Sequence, residues 1–339
     1  MDGAHAKGKG IAVKAEAALC LILLVAAASA QPLDWMQDMT IFGTTADERC
    51  PALAIAPSSG IMRAVCILDD GVVASKISED NGASWSAVSA WYAPSLSVLT
   101  ASTADREHGY VCVTGEGSPE LRLFRFSGSG NDWTAASQTA LAVDSASRIM
   151  SVVLATDCAF ESQDPYLCVG WVTRDDAGHF SAVFAQSRDR GASFGPTSVV
   201  AVWTGVNQTA ACMSLAASWS GDSEHWLAAA SEDRAGSIPE QIHVHWSDDQ
   251  GATWPGNAAI DPSTAAQREP SIAAFGDFAV VVYTRESAGH SDVCCSFSVD
   301  AGLTFTDPLP VAETALLRGS WTPGFSSLRG SRLPPGPST

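Results

Sequence analysis

The sequence predicts an all-β protein, a β-propeller of four-stranded blades, and three observations carry that reading. An octapeptide of the form S-x-D-x-G-x-[ST]-[WF] occurs four times, as SEDNGASW at 78–85, SRDRGASF at 187–194, SDDQGATW at 247–254 and SVDAGLTF at 298–305. The closing aromatics recur roughly every 50 to 60 residues, the length of one propeller blade. Between them lie short runs rich in Val, Ala and aromatics, separated by Gly, Asp and Ser, with no sustained helical period.

Each part of the octapeptide has a physical task. Asp80, Asp189, Asp249 and Asp300 can accept hydrogen bonds from backbone amides in a tight turn. Gly82, Gly191, Gly251 and Gly302 supply the positive φ that such a turn requires. The hydroxyl of Ser84, Ser193, Thr253 or Thr304 closes the loop, and Trp85, Phe194, Trp254 or Phe305 buries itself between neighbouring sheets. A fifth segment, FSGSGNDW at 126–133, keeps the glycine and the tryptophan but has lost the serine and aspartate positions.

The repeats divide alike. In the first, CPALAIAP, MRAVCILDD and VVASKIS read as strands A, B and C, with strand D after Trp85. In the last, PSIAAF, FAVVVYT and VCCSFS are followed by a strand after Phe305. The octapeptides therefore occupy the C-to-D turns.

Composition sets the class. The chain has 339 residues, of which 46% are hydrophobic, enough for a large core. Its formal net charge of -18 repels phosphate backbones and excludes nucleic acid as a natural partner. The N-terminus reads as a signal peptide, residues 1–30. Lys7, Lys9 and Lys14 precede an apolar run from Ala17 to Ala27, and Ala28-Ser29-Ala30 offers the small residues of a cleavage site. The run is short for a membrane span and no later stretch is long enough, so the chain is expected to be secreted, with no span after cleavage. Residues 31–314 form the propeller, and the Pro-, Ser-, Gly- and Arg-rich tail 315–339 reads as disordered or aberrant. Leu33–Gly43 is a further candidate outer strand.

Without Cys20, eight cysteines remain, an even number that fits disulfides in a secreted chain. Cys50 with Cys66, and Cys158 with Cys168, sit on successive predicted strands and are the expected pairs. No CxxC pair exists and the histidines are scattered, so no metal site is expected. Calcium would suit the carboxylates, but no EF-hand spacing is present, and no cofactor is indicated. Asn207-Gln208-Thr209 is a glycosylation sequon.

The four octapeptides resemble the Asp-box, or BNR repeat, of sialidases and related propellers. The resemblance covers about Cys50 to Ala312. It implies a six-bladed ring, of which five blades are recognisable here, and it places the boxes on the face away from the active site. The box aspartates are then structural. A ligand site on the opposite face must draw on strand A starts and strand B ends. Arg49, Arg148 and Arg268 stand at strand A starts of repeats one, three and five. The resemblance implies an arginine triad for a sialate carboxylate. Arg49-Cys50-Pro51 and Arg268-Glu269-Pro270 look like altered forms of the family's Arg-Ile-Pro. These arginines can equally pair with neighbouring acids such as Glu48 and Glu269.

Acids cluster at the strand B ends, among them Asp69, Asp70 and Glu286. By resemblance, Asp69 or Asp70 matches the acid/base position. The family nucleophile is a tyrosine assisted by a glutamate, and Tyr283, beside Arg285 and Glu286, is the candidate by position. A buried strand tyrosine explains Tyr283 as well. The functional expectation is a secreted sialidase-like protein that acts on or recognises a glycan or glycoconjugate, an exo-α-sialidase being one form of it. The alternative is a non-catalytic propeller that binds glycans or proteins, and two-carboxylate glycoside hydrolysis is a third possibility.

Overall fold

Among the described residues, twenty short strands alternate with turns, and each run of four forms one antiparallel meander. The computed structural model describes residues 41–42, 48–56, 59–68, 72–92, 97–104, 107–115, 120–127, 130–132, 134, 136–143, 147–156, 166–204, 211–220, 223–233, 240–287 and 289–312. Blade 1 consists of β1 (Arg49–Ile55), β2 (Met62–Ile67), β3 (Val72–Ser78) and β4 (Ser89–Tyr92). Blade 2 consists of β5 (Ser97–Ala104), β6 (His108–Gly115), β7 (Glu120–Ser127) and β8 (Ser137–Ala142). Blade 3 is β9 (Ser147–Thr156), β10 (Leu167–Asp175), β11 (His179–Ser187) and β12 (Ser198–Thr204). Blade 4 is β13 (Met213–Ser220), β14 (Ser223–Glu232), β15 (Gln241–Ser247) and β16 (Gly256–Ala259). Blade 5 is β17 (Ala266–Phe275), β18 (Phe278–Ser287), β19 (His290–Ser298) and β20 (Leu309–Ala312). The fold is thus a β-propeller with five blades among the described residues. No described helix is long and apolar enough to cross a membrane.

The first strand of each blade is innermost: β1, β5, β9, β13 and β17 pack side by side in that order. No comparable packing joins β17 back to β1 among the described residues. The core follows the same count, because the main apolar clusters are interblade layers. Val65 and Val73 meet Val111, Phe124 and Phe126 between blades 1 and 2. Tyr110, Leu121 and Leu123 meet Ile149, Leu154 and Leu167 between blades 2 and 3. Phe184 and Trp203 meet Met213, Leu215 and Trp226 between blades 3 and 4. Leu227, Ile242 and Val244 meet Ile272, Val281 and Tyr283 between blades 4 and 5. Sheets with two apolar faces stack only if each face finds a neighbour, and four such contacts are filled.

The octapeptides fold as the sequence reading requires. In the first, Ser78 Oγ donates to Asp80 Oδ1 at 2.8 Å, Ser84 N donates to the same oxygen at 2.8 Å, and Ser84 Oγ donates to Asp80 Oδ2 at 2.6 Å. The other three repeat this pattern around Asp189, Asp249 and Asp300. The glycines take positive φ, and so do the residues before them, Asn81, Arg190, Gln250 and Ala301. In blades 1 and 5 the turn touches the A-to-B turn of its own blade: a Cβ on Gly60 would lie 2.9 Å from Asn81 Oδ1, and Ala301 N donates to Asp277 O at 2.8 Å. Each later turn also seats on the preceding blade: Thr139 Oγ1 donates to Gly191 O, and Ser198 Oγ to Gly251 O. Phe194, Trp254 and Phe305 each pack against an interblade layer, as expected.

The divergent second turn has its own solution. Arg63, 3% exposed, reaches from blade 1 to donate to Gly130 O at 2.6 Å and Asn131 Oδ1 at 2.9 Å. Asn131 also accepts from Ser75 Oγ and donates to Ser75 O. Neutral acceptors and the Phe126 ring, 4.1 Å from the guanidinium carbon, surround this buried cation, and burial lowers its pKa to about 10.

The disulfide expectation is not met. Cys66 is a free thiol, and neither the pair of Cys66 with Cys50 nor that of Cys168 with Cys158 is formed. Both sulfurs belong to buried side chains, Cys168 within the layer between blades 3 and 4. Burial, with a smaller contribution from Glu48, pushes the Cys66 thiol up to about 12. Cys158, the Cys50 side chain, Asn207, the signal peptide and the tail lie outside the described residues.

Candidate functional site

Antiparallel meanders put strand A starts and strand B ends on one face, opposite the octapeptide turns. The described acids and bases of that front face concentrate where blades 4 and 5 meet. Arg268 lies in β17 at a bulge between Arg268 and Ser271, where Glu269 adopts φ 55°. A bulge re-aims the side chains beside it. Here it turns Arg268 between two acids: Nε donates to Glu240 Oε2, and Nη1 lies 2.8 Å from both oxygens of Glu286. Glu240 is almost wholly buried, whereas the side chains of Arg268 and Glu286 are 26% and 39% exposed. Desolvation works against the charge on Arg268. It is outweighed by Glu240, then Glu286 and Glu269, and the pKa is raised.

Arg285 stands next to Glu286, with Nη1 3.8 Å from Asp261 Oδ2. Asp261 is 3% exposed; Oδ1 accepts from Ser263 N at 2.8 Å, while Oδ2 has no hydrogen-bond partner. In the same blade, Glu232 at the end of β14 is fully buried, and its Oε1 lies 2.6 Å from His245 Nε2. Asp233 is equally buried. The mouth of blades 4 and 5 is therefore acidic, with each arginine set against a carboxylate.

Of the residues expected from sequence, Arg268, Arg285 and Glu286 come together. Arg148 is exposed at the start of β9 and pairs in register with Arg174, on blade 3. Arg49 opens β1 opposite Ile67; its side chain, and all of Asp69 and Asp70, lie outside the described residues. Tyr283 is 1% exposed within the layer between blades 4 and 5, and burial, the largest influence, pushes its phenol up to about 12. Its hydroxyl thus faces packed side chains, not the mouth. The sequence reading placed Glu232 among the strand B acids but missed Glu240, Asp261 and His245 as the partner of Glu232. An acid one residue before a strand C, as in Pro239-Glu240-Gln241, was the available signal for Glu240.

A cavity of about 520 Å³ lies at the rim between blades 3 and 4. Val202, Trp203, Thr204, His245, Trp254 and Asn257 line it. It combines indole surface with polar groups, a lining that suits a sugar as well as a peptide.

The fold and mouth define a propeller with an acidic, arginine-bearing front face, and solved structures share that fold. A Hadza microbial sialidase matches with TM-score 0.52 and 14% identity, over 80% of this chain and 59% of that one. An ulvan lyase, seen bound to -[GlcA(1-4)Rha3S]-, matches with TM-score 0.51 and 10% identity, over 82% and 72%. The Trypanosoma rangeli sialidase matches with TM-score 0.48 and 14% identity, over 80% and 49%. This chain thus spans 59% of the length of the one sialidase and 49% of the other. No family model and no curated protein matches the sequence. The chain is a sialidase-like β-propeller in fold, among neighbours that act on glycans.

Proposed function

We propose that the protein is a secreted glycan-binding propeller whose ligand site is the front mouth of blades 4 and 5. The favoured ligand is a neutral, hydroxyl-rich sugar. The observation that carries this reading is Arg268 held between Glu240 and Glu286. An arginine that grips a sialate carboxylate must have its fork free. Here the fork already serves two acids, and a third carboxylate would meet a net negative node. Adjacent sugar hydroxyls, by contrast, donate to the exposed edge of Glu286 and accept from the guanidinium. The glycan-acting sialidase and lyase on this fold support a sugar as partner, and the apolar run at Ala17–Ala27 supports secretion.

A second reading rests on a separate observation. Glu240 and Glu286 flank one guanidinium in unlike surroundings, buried and half-exposed. Carboxyls whose environments differ in this way can divide acid and base roles in glycoside hydrolysis.

One experiment addresses both. Wild type, Arg268→Ala and Glu286→Gln are tested on a glycan array and with a panel of fluorogenic aryl glycosides that includes a sialoside. Binding to neutral glycans should weaken about 10- to 100-fold in Arg268→Ala, the effect of losing charge-assisted hydrogen bonds. Turnover abolished by Glu286→Gln would establish the hydrolytic reading instead. Binding confined to sialylated glycans, or none at all, would overturn the proposal.

A further inference from the structure

The outer strand of blade 3 carries an extra residue, and that residue builds one wall of the rim cavity. β12 pairs with β11 through Ser198↔Phe184 and Val199↔Val183, then resumes at Ala201↔Ala182, which leaves Val200 as a bulge. A bulge reverses the side-chain alternation beyond it. Ser198 faces blade 4, where its Oγ donates to Gly251 O. Unbroken alternation from Ser198 would turn Val202 inward and Trp203 outward. Instead Val202 is 63% exposed, and Trp203 is buried in the layer between blades 3 and 4. Trp203 stacks on Phe180, with ring centroids 5.7 Å apart and planes 9° from parallel. Trp254 forms a second aromatic wall. Its Nε1 donates to Ser198 Oγ at 3.1 Å, and its ring meets Phe184 edge-on at 5.3 Å. Both indoles hold their places before any ligand arrives.

Blade 4 supplies the polar side. His245 and Asn257 are register partners, so they share the face that looks toward blade 3. Behind His245 stands Glu232, with a wholly buried side chain and Oε1 2.6 Å from His245 Nε2. A carboxylate cannot donate, so Nε2 carries the proton of this contact and Nδ1 is the nitrogen that can meet a ligand. A carboxylate inside an aromatic layer is costly to desolvate. Here it fixes the orientation of a histidine that borders the cavity.

The lining selects the ligand. None of the ten residues around the 520 Å³ is Asp, Glu, Lys or Arg, in a chain of formal net charge -18. A charged group would lose its water there and meet no counter-charge. An added peptide strand needs evenly spaced backbone groups along the edge of β12, and the bulge at Val200 breaks that spacing. An uncharged sugar has the matching chemistry: a C–H face for an indole and a rim of hydroxyls for hydroxyl, amide and imidazole partners.

We propose that this cavity is a second, neutral-sugar site, separate from the front mouth. Trp203 and Trp254 take the C–H face of one pyranose ring, and Thr204, His245 and Asn257 take its hydroxyls. The site shares no residue with Arg268, Glu240 and Glu286, so it stands independently of the reading of the mouth. One ring makes few contacts, so this is the weaker of the two sites.

The test is calorimetric titration of the full chain with methyl glycosides of glucose, galactose, mannose, fucose and N-acetylglucosamine at millimolar concentration. Methyl galacturonide is the charged probe, and a capped heptapeptide of alternating Thr and Val is the peptide probe. At least one neutral glycoside should bind Arg268→Ala, in which the mouth is disabled. Asn257→Ala and His245→Gln, which keeps a donor for Glu232, should each weaken that binding about 3- to 10-fold, the effect of one lost hydrogen bond. Asn257→Trp fills the cavity from an exposed position and should abolish it at an unchanged melting temperature. In a chain that keeps Arg268, the same Asn257→Trp change should remove the weaker site and leave the mouth's binding intact. No neutral glycoside bound by Arg268→Ala, binding indifferent to Asn257→Trp, or preference for the galacturonide or the peptide would each overturn the proposal.

Discussion

Alanine at Gly82 and at Gly251 makes the same chemical change in two copies of one turn, and the structure assigns them unequal costs. Both glycines sit at positive φ, 89° and 78°. Left-handed backbone costs a residue with a Cβ about 1–2 kcal/mol. At Gly82 that is nearly the whole effect, because among the described residues the new methyl touches only the flexible end of Met62. At Gly251 the methyl would lie 2.0 Å from the ring of Phe184, itself locked among Trp226 and Trp254. Forcing that ring aside adds about 1–3 kcal/mol of overpacking. Gly82→Ala should therefore lower Tm by roughly 2–8 °C and Gly251→Ala by roughly 4–20 °C, for a domain that loses about 2–4 °C per kcal/mol. Calorimetry on the two variants reads the difference. Equal losses would show that some element presses on Gly82 as Phe184 presses on Gly251, and the reasoning would fail.

Truncating Leu227→Ala should cost about 2–5 kcal/mol in denaturant unfolding, against well under half of that for Val280→Ala, its partly buried equivalent. Acid should weaken the turns. Hydrogen bonds, led by the Ser84 hydroxyl, bring Asp80 to about 2; at Asp189, Asp249 and Asp300 burial opposes ionisation but is outweighed by hydroxyl and amide donors. Folded values below the ordinary 3.8 mean that this stability is complete above that pH and is lost as pH falls through the folded values. Tryptophan fluorescence should accordingly show an acid transition below about pH 4, and Asp189→Asn should reduce stability at neutral pH while flattening its slope in acid. Without reductant, Cys66 and Cys168 should be alkylated by iodoacetamide only after denaturation, as buried thiols. Failure to label them in the denatured state would restore the disulfides.

The fold was legible because its signals are local and repeated. An aspartate, a glycine and a hydroxyl at fixed offsets specify a turn whatever packs around it. Four turns in phase then fix the strands between them. The chemistry of the mouth was legible only as a position. Arg268 and Glu286 could be placed on the front face from strand order, but which acid each arginine meets depends on a bulge at Glu269 and on Glu240 arriving from the neighbouring blade. Neither leaves a mark at a fixed spacing. Tyr283 shows the limit in reverse: alternation along β18 decides whether a side chain faces the mouth or the next blade, and in β18 it points into the layer with Leu227.

The second turn shows that the interface between blades, more than the motif itself, is what the repeat preserves. There the serine and aspartate are gone, yet the turn is still closed by a side chain of the preceding blade, from the register position that Leu227 holds in blade 4. Arg63 pairs with Ile77, the residue before the first turn, just as Leu227 pairs with Trp246. Where the other turns carry an internal carboxylate and receive an apolar side chain, this one offers a carbonyl and an amide and receives a guanidinium. A carboxylate in the Asn131 position would form a buried ion pair with Arg63, and such pairs lose in desolvation much of what they gain in attraction. The neutral asparagine avoids that cost and also bonds to Ser75. Loss of the motif in blade 2 and a buried arginine in blade 1 are thus one substitution seen from two sides.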